Sequence, residues 1–296
     1  MLDFLKKPFK NGNSLMQLIY INVCVFIVVA ISEALLKLFN IDVAAFVNDF
    51  MLLPSSWAGF LQKFWTLITY MFLHLKFWHI FFNMLVLFWF GQIFLQNFSK
   101  KQLIGLYLLG GIAGGLFYIL CYSLLPFFAD KTAILCGASA SITAIIIASA
   151  LAAPNMPLRL LFIRYEIKLK YIAFCTVLIS IGGVSGDNAG GEIAHLGGAL
   201  MGLVWFLLLN KNIDLSRPFE KIITFFVDIF DFDKKKMKIK KPKTQFHYVK
   251  SDAEYNQERA RNNAEMDKIL DKIRLYGYAS LTEKEKKQLF DISEKL

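Results

Sequence analysis

Apolar residues along the chain gather into six long runs, at roughly 16–37, 78–97, 102–126, 136–153, 168–184 and 192–209, parted by polar or basic breaks. A helix rises 1.5 Å per residue, so a run of about twenty apolar residues spans a hydrocarbon core of about 30 Å. The fourth and fifth runs are shorter, as helices often are when a bundle encloses them. The pattern predicts an all-α membrane protein built as a six-helix transmembrane bundle. In the third run Gly105, Gly110, Gly111, Gly114 and Gly115 are spaced to let neighbouring helices approach closely. The connection 38–77 is not polar either: it carries Phe46, Phe50, Trp57, Phe60, Phe64 and Trp65. Exposing these to water would be costly, so the connection is expected to lie partly in the outer interface.

Past Asn210 the pattern changes. Phe219, Ile222, Ile223, Phe226, Val227 and Phe230 form one helical stripe within 218–232, next to a basic run from Lys234 to Lys243. This reads as an interfacial anchor drawn to anionic lipid. Met266, Ile269, Leu270 and Ile273 then recur at helical spacing, Gly277 marks a stop, and Thr282 with Glu285 forms a capping box. The expected organisation is a cytoplasmic N-terminus over 1–15, a six-span core over 16–209, an amphipathic and basic linker over 210–250, and a small helical cytoplasmic tail over 251–296.

Composition agrees with a membrane protein: 56% of residues are hydrophobic and 15% aromatic, and mean hydropathy is +0.48. The formal charge is nevertheless +10, and its placement orients the bundle. Lys6, Lys7, Lys10, Lys100, Lys101, Arg159, Arg164, Lys168, Lys170 and Lys211 fall on one side of the runs, against Lys37, Lys63, Lys76 and Lys131 on the other. The first group is expected to be cytoplasmic, with both termini inside. These segments account for the charge by their apposition to lipid, and no nucleic-acid partner is expected. No small-residue cleavage site follows the first run, so it is expected to be a retained helix. Cys24, Cys121, Cys136 and Cys175 lie in or beside apolar stretches without Cys-x-x-Cys spacing, which argues against a disulfide framework and against zinc.

Polar residues inside spans are costly and point to function. The second span is entered at His74 and holds His79 and Asn83, the fourth begins Gly137-Ala-Ser139-Ala-Ser141, and the sixth contains His195 with Gly198 and Gly202. His79 and Asn83 share a helix face, whereas His74 and His79 lie about 140° apart, which disfavours a chelate. No His-Glu-x-x-His occurs and no paired aspartates fall within the spans, so metalloprotease and aspartyl-protease chemistry are disfavoured and no metal or cofactor is expected. Spans two, four and six run in the same direction, which brings His79, Ser139 and His195 to one depth near the outer surface. Gly198 and Gly202 share the face of His195; packed against Gly137 and Ala140 of the fourth helix, they would let the imidazole reach the Ser139 hydroxyl. A serine needs such a base, and the start of its helix offers unpaired N–H groups for an oxyanion, with His79 and Asn83 as further donors. No aspartate is evident to orient His195, so packing and nearby hydrogen bonds are expected to do so.

His74-x4-His79-x3-Asn83, Gly137-x-Ser139 and Ala194-His195-x2-Gly198-x3-Gly202 occur in this order on alternate spans. In this the chain resembles the rhomboid family of intramembrane serine proteases, of bacterial type, over about residues 16–209. Gly-x-Ser alone is weak; the three motifs together are specific. The resemblance implies Ser139 as nucleophile, His195 as general base and acid, and His79, Asn83 and the Ser139 N–H as the oxyanion hole. It implies membrane-protein substrates with a transmembrane helix, cut near its outer end, and residence in a bacterial inner membrane with the site opening outward. Two residues depart from the family pattern: Ala140 replaces the usual glycine after the serine, and Thr143 stands where an aromatic often packs on the histidine. Ser141, about 200° round the helix from Ser139, is expected to bond back to a carbonyl one turn earlier. The stretch Gly182–Gly191 is expected to be a movable cap. Two other readings are a catalytically silent rhomboid-like membrane-protein binder, which would be expected to have lost the serine or the histidine, and a small transporter, which would need a polar path through apolar inner halves.

Overall fold

A computed structural model describes residues 13–159, 165–219 and 252–293. The chain forms two compact units, Met1–Phe232 and Asp233–Leu296. In the first, helix α1 covers Ser14–Lys37, and the connection after it folds into α2 (Val43–Phe50), a short strand β1 (Leu53–Pro54), α3 (Trp57–Gln62) and α4 (Thr66–Thr69). Then come α5 (Phe77–Asn97), α6 (Lys100–Leu124), β2 (Ile134–Leu135), α7 (Ser139–Ala152), a β3–β4 hairpin (Pro157–Arg159 and Glu166–Lys168), α8 (Leu169–Gly183) and α9 (Ala189–Leu209). Helices α1, α5, α6 and α9 are long and apolar enough to cross a membrane, and α7 and α8 are shorter apolar helices. The protein is thus an all-α integral membrane bundle, its helices close to the six apolar runs of the sequence.

Local chemistry sets the helix starts. Before α6 a capping box is complete: the Gln102 N–H donates to Ser99 Oγ and the Ser99 N–H donates to Gln102 Oε1. Asn13 caps α1 by accepting from the Met16 N–H.

Helix α7 occupies the centre. Every residue from Ala140 to Ala150 is buried, and all but Ser141, Thr143 and Ser149 are alanine or isoleucine, as a helix enclosed on all sides requires. Its small residues meet glycines from both neighbours. Gly110 and Gly114 of α6 face Ala144 and Ala140, while Gly198 and Gly202 of α9 lie against the backbone of the same two alanines. Helices meeting through hydrogen and methyl groups run close together, and dispersion across such a contact replaces the hydrophobic drive that lipid does not supply.

The connection between α1 and α5 is part of this core on one side. Leu52, Leu53, Tyr70, Met71 and Leu73 are buried, whereas Phe46, Phe50, Trp57, Leu61, Phe64 and Trp65 are exposed. Polar bonds pin it: Tyr70 Oη donates to the Gly111 carbonyl (2.5 Å), Tyr107 Oη donates to the Met71 carbonyl (3.0 Å), and Asn22 of α1 donates to Tyr107 (3.0 Å). β1 pairs antiparallel with β2, Leu53 opposite Leu135 and Pro54 opposite Ile134, which ties the connection to the segment that leads into α7.

Three features differ from the sequence expectations. Gly182 and Gly183 end α8, and Gly190 and Gly191 lie in α9, so only residues 184–188 connect these helices. That connection is a tight turn, with the Gly186 N–H on the Gly183 carbonyl and the Ala189 N–H on the Gly186 carbonyl. Position 183 takes a glycine because Glu192 fills the space that a side chain there would need. Second, the core continues past residue 209. Asp214 accepts from Gln102 Nε2 (2.9 Å), and buried Ser216 packs on Gly105. Third, Ser141 Oγ is buried without a hydrogen-bond partner. Ser141 lies in the first turn of α7, and its oxygen is turned against Gly111 of α6.

In the second unit α10 (Asp252–Tyr276) and α11 (Glu283–Ser293) flank Gly277, at φ +80°, and a single 3-10 turn over Tyr278–Ser280. The Glu285 carboxylate accepts from the Thr282 N–H (2.7 Å) and from Lys272 Nζ of α10 (2.8 Å). Of the amphipathic stripe in 218–232 only Phe219 is among the described residues, and the lysine run lies wholly outside them.

Candidate active site

The backbone turns sharply just before α7. Gly137 has a positive φ that disfavours any side chain, and its N–H donates to the Tyr70 carbonyl (2.9 Å). The next N–H, of Ala138, donates to His74 Nε2 (3.4 Å). His74 is only 1% exposed. Burial first, and the neighbouring His79 second, lower its pKa to about 4, so the ring is neutral near pH 7 and keeps the lone pair that accepts this bond. Sequence reasoning gave His74 no such task. The motif spacing held a clue, but not the partner.

Ser139 is the first residue of α7 and is half-buried. The first helical bond of this segment runs from the Ile142 N–H to the Ala138 carbonyl (3.0 Å). The N–H groups of Ser139, Ala140 and Ser141 therefore point out of the helix start without a backbone acceptor among the described residues. Thr143 donates its hydroxyl to the Ser139 carbonyl (2.8 Å), so this departure from the family pattern holds the first turn. Ser141 faces the other way, with its oxygen against Gly111 of α6.

His79, in the first turn of α5, lays its ring over Gly137; a methyl there would stand 2.7 Å from both Cε1 and Nε2. Gly137 thus makes room for this imidazole as well as for the turn, and does not form the helix–helix contact expected of it. Asn83, one turn along α5 and buried, donates from Nδ2 to the His79 carbonyl (2.9 Å), which leaves a second amide N–H for another acceptor.

His195 lies in the second turn of α9 and within electrostatic reach of His79. The residue just before it, Ala194, has its carbonyl beside Gly114, where Ala140 also packs, and Gly198 rests on the Ala140 backbone. These contacts bring the turns carrying Ser139 and His195 side by side. Nδ1 of His195 is 3.1 Å from Glu192 Oε2 and 3.3 Å from Ser180 Oγ of α8. The sequence reading sought an aspartate and found none. The carboxylate is a glutamate three residues earlier on the same helix, and the i, i+3 spacing was a legible signal. Among the described residues, no three His, Cys, Asp or Glu side chains gather as a metal site.

A family model described as the Rhomboid domain matches residues 61–212. A second, a family of unknown function (DUF6576), matches residues 250–295, which contain the whole of α10 and α11. None of the curated proteins compared matches the chain.

Proposed function

The chain belongs to the rhomboid family, and from that premise we propose that it is an intramembrane serine endopeptidase that hydrolyses peptide bonds in or near transmembrane helices of membrane-protein substrates. Ser139 Oγ attacks the scissile carbonyl while its proton passes to His195 Nε2. The carbonyl oxygen, now negative, is received by the Ser139 N–H with help from the His79 ring and the Asn83 amide. His195 then protonates the leaving amine, and a water, deprotonated by the same nitrogen, hydrolyses the acyl-enzyme.

The single observation that supports this most is the uncapped start of α7, with free N–H groups beneath His79 and one helix contact away from His195. A structural role alone would not call for an open helix N-terminus beside two imidazoles. At 14 residues α7 is about 21 Å long, shorter than the hydrocarbon core, which supports a start set below the outer surface, where a substrate helix can be met. The placement of basic residues supports cytoplasmic termini and a site opening to the outer face of a bacterial inner membrane.

The test is labelling of the purified full chain with a serine-reactive phosphonate, with the adduct mapped by mass spectrometry, alongside cleavage of a single-span substrate in liposomes. An adduct on Ser139 and a cut within or beside the substrate span are expected. Neither adduct nor cut would leave a catalytically silent membrane-protein binder as the better account.

A further inference from the structure

Beside His195 lies a polar cluster with no task in the mechanism above: Ser180 and Glu192 meet Nδ1, and Asn188 reaches the same carboxylate. We propose that Glu192 is the positioning residue of the site, holding His195 in the tautomer whose Nε2 is free to take the Ser139 proton. This rests on the reading of Ser139 and His195 as nucleophile and base.

A neutral imidazole has one N–H and one lone pair, and the partner of one nitrogen decides which role the other takes. An ionised carboxylate only accepts. With Glu192 Oε2 3.1 Å from Nδ1, the proton resides on Nδ1 and the lone pair on Nε2. The reverse tautomer would set two lone pairs against each other at that distance.

The pair is also built into the fold. The side chains of His195 and Glu192 are only 20% and 18% exposed, so water competes weakly for either group. Glu192 sits in the first turn of α9, where the helix dipole favours a negative charge. Ser180 and Asn188 lie within hydrogen-bonding reach of the same carboxylate. Gly183 lies opposite it, and a Cβ there would come within 2.7 Å of Glu192 Cγ, so the end of α8 closes over the glutamate only because residue 183 has no side chain. When Nε2 takes the serine proton the ring becomes a cation, and the carboxylate stabilises that state directly. Glu192 from its own helix and His79 from α5 are titratable groups that bear on His195.

The test uses the full chain in detergent, labelled with 15N-histidine. The His195 resonances are assigned by their loss in His195→Gln. In the wild type the neutral ring is expected in the Nδ1–H tautomer; an Nε2–H tautomer overturns the proposal whatever the activity. Glu192→Gln keeps the volume and removes the charge. It is expected to lower kcat about 10- to 100-fold with little change in KM, and to shift His195 toward a mixture of tautomers. Glu192→Asp should recover part of the rate that Glu192→Ala loses, at equal thermal stability. Unchanged kcat in Glu192→Gln, or a loss that follows only the melting temperature, assigns Glu192 to helix capping and overturns the inference. If the wild type itself neither cleaves nor labels, the protease reading fails, while the tautomer measurement still decides whether Glu192 orients His195.

Discussion

Gly198 of α9 rests on the backbone of Ala140 in α7, so close that a methyl group at position 198 would run into the Ala140 carbonyl. One turn before Gly198 is His195, and one residue before Ala140 is Ser139. The separation of Ser139 and His195 is therefore set by a contact in which neither takes part.

Gly198→Ala should force α9 away from α7. Overpacking of a closed core costs about 1–3 kcal/mol, which thermal unfolding in detergent would register. Turnover should fall further than that stability loss implies, because a shift of about 1 Å separates the reacting atoms. A variant with lowered melting temperature but full turnover would show that the contact serves stability alone.

Ser139→Ala and His195→Ala should each abolish cleavage of a model substrate in bundles that still fold, and the double variant should be little worse than either single one, since the two act as a unit. Ser141→Ala should retain activity. Its hydroxyl is buried without a partner, so its removal should leave the melting temperature unchanged or slightly higher. Cleavage by Ser139→Ala with loss in Ser141→Ala would move the nucleophile one position pair along the helix.

Asn83→Ala should lower turnover about a hundredfold while substrate binding holds, because an oxyanion donor acts on charge that develops in the transition state. The loss could be shared by His79 and the Ser139 N–H, and combining Asn83→Ala with His79→Ala measures how far. Weakened binding at full turnover would make Asn83 a substrate contact.

Removal of residues 221–296 should leave cleavage of a generic substrate largely intact, since none of the residues given a role in the proposed mechanism falls within it. Cutting instead after Asn212 removes Asp214 and Ser216, which bond Gln102 and fill the space beside Gly105, and should lower the melting temperature. Equal stability of the two truncations would show that these contacts are dispensable. Loss of activity in the longer, well-folded form would make the tail part of the site.

The helices of the bundle were legible in the chain because a transmembrane helix is a local object. Its backbone bonds close within the segment, and its length must match the bilayer, so a run of apolar residues specifies it without reference to neighbours. The polar residues of the candidate site were legible for a related reason: in an apolar span a histidine, an asparagine or a serine beside a glycine stands out against its background. Lateral arrangement is another matter. Small residues on α6, α7 and α9 permit close approach but do not choose a partner, and that α7 is the helix enclosed by the other two follows only from packing them all. The same holds for Tyr70 receiving the Gly137 N–H, for His74 receiving the Ala138 N–H, and for Ser180 meeting His195 from α8. Each joins residues far apart in sequence, and each depends on distances of about 3 Å that no periodicity encodes. The sequence by itself determined which helices exist and which of their residues could react; the tertiary structure decided which of those residues meet, because helix formation is settled within one segment and helix association among several.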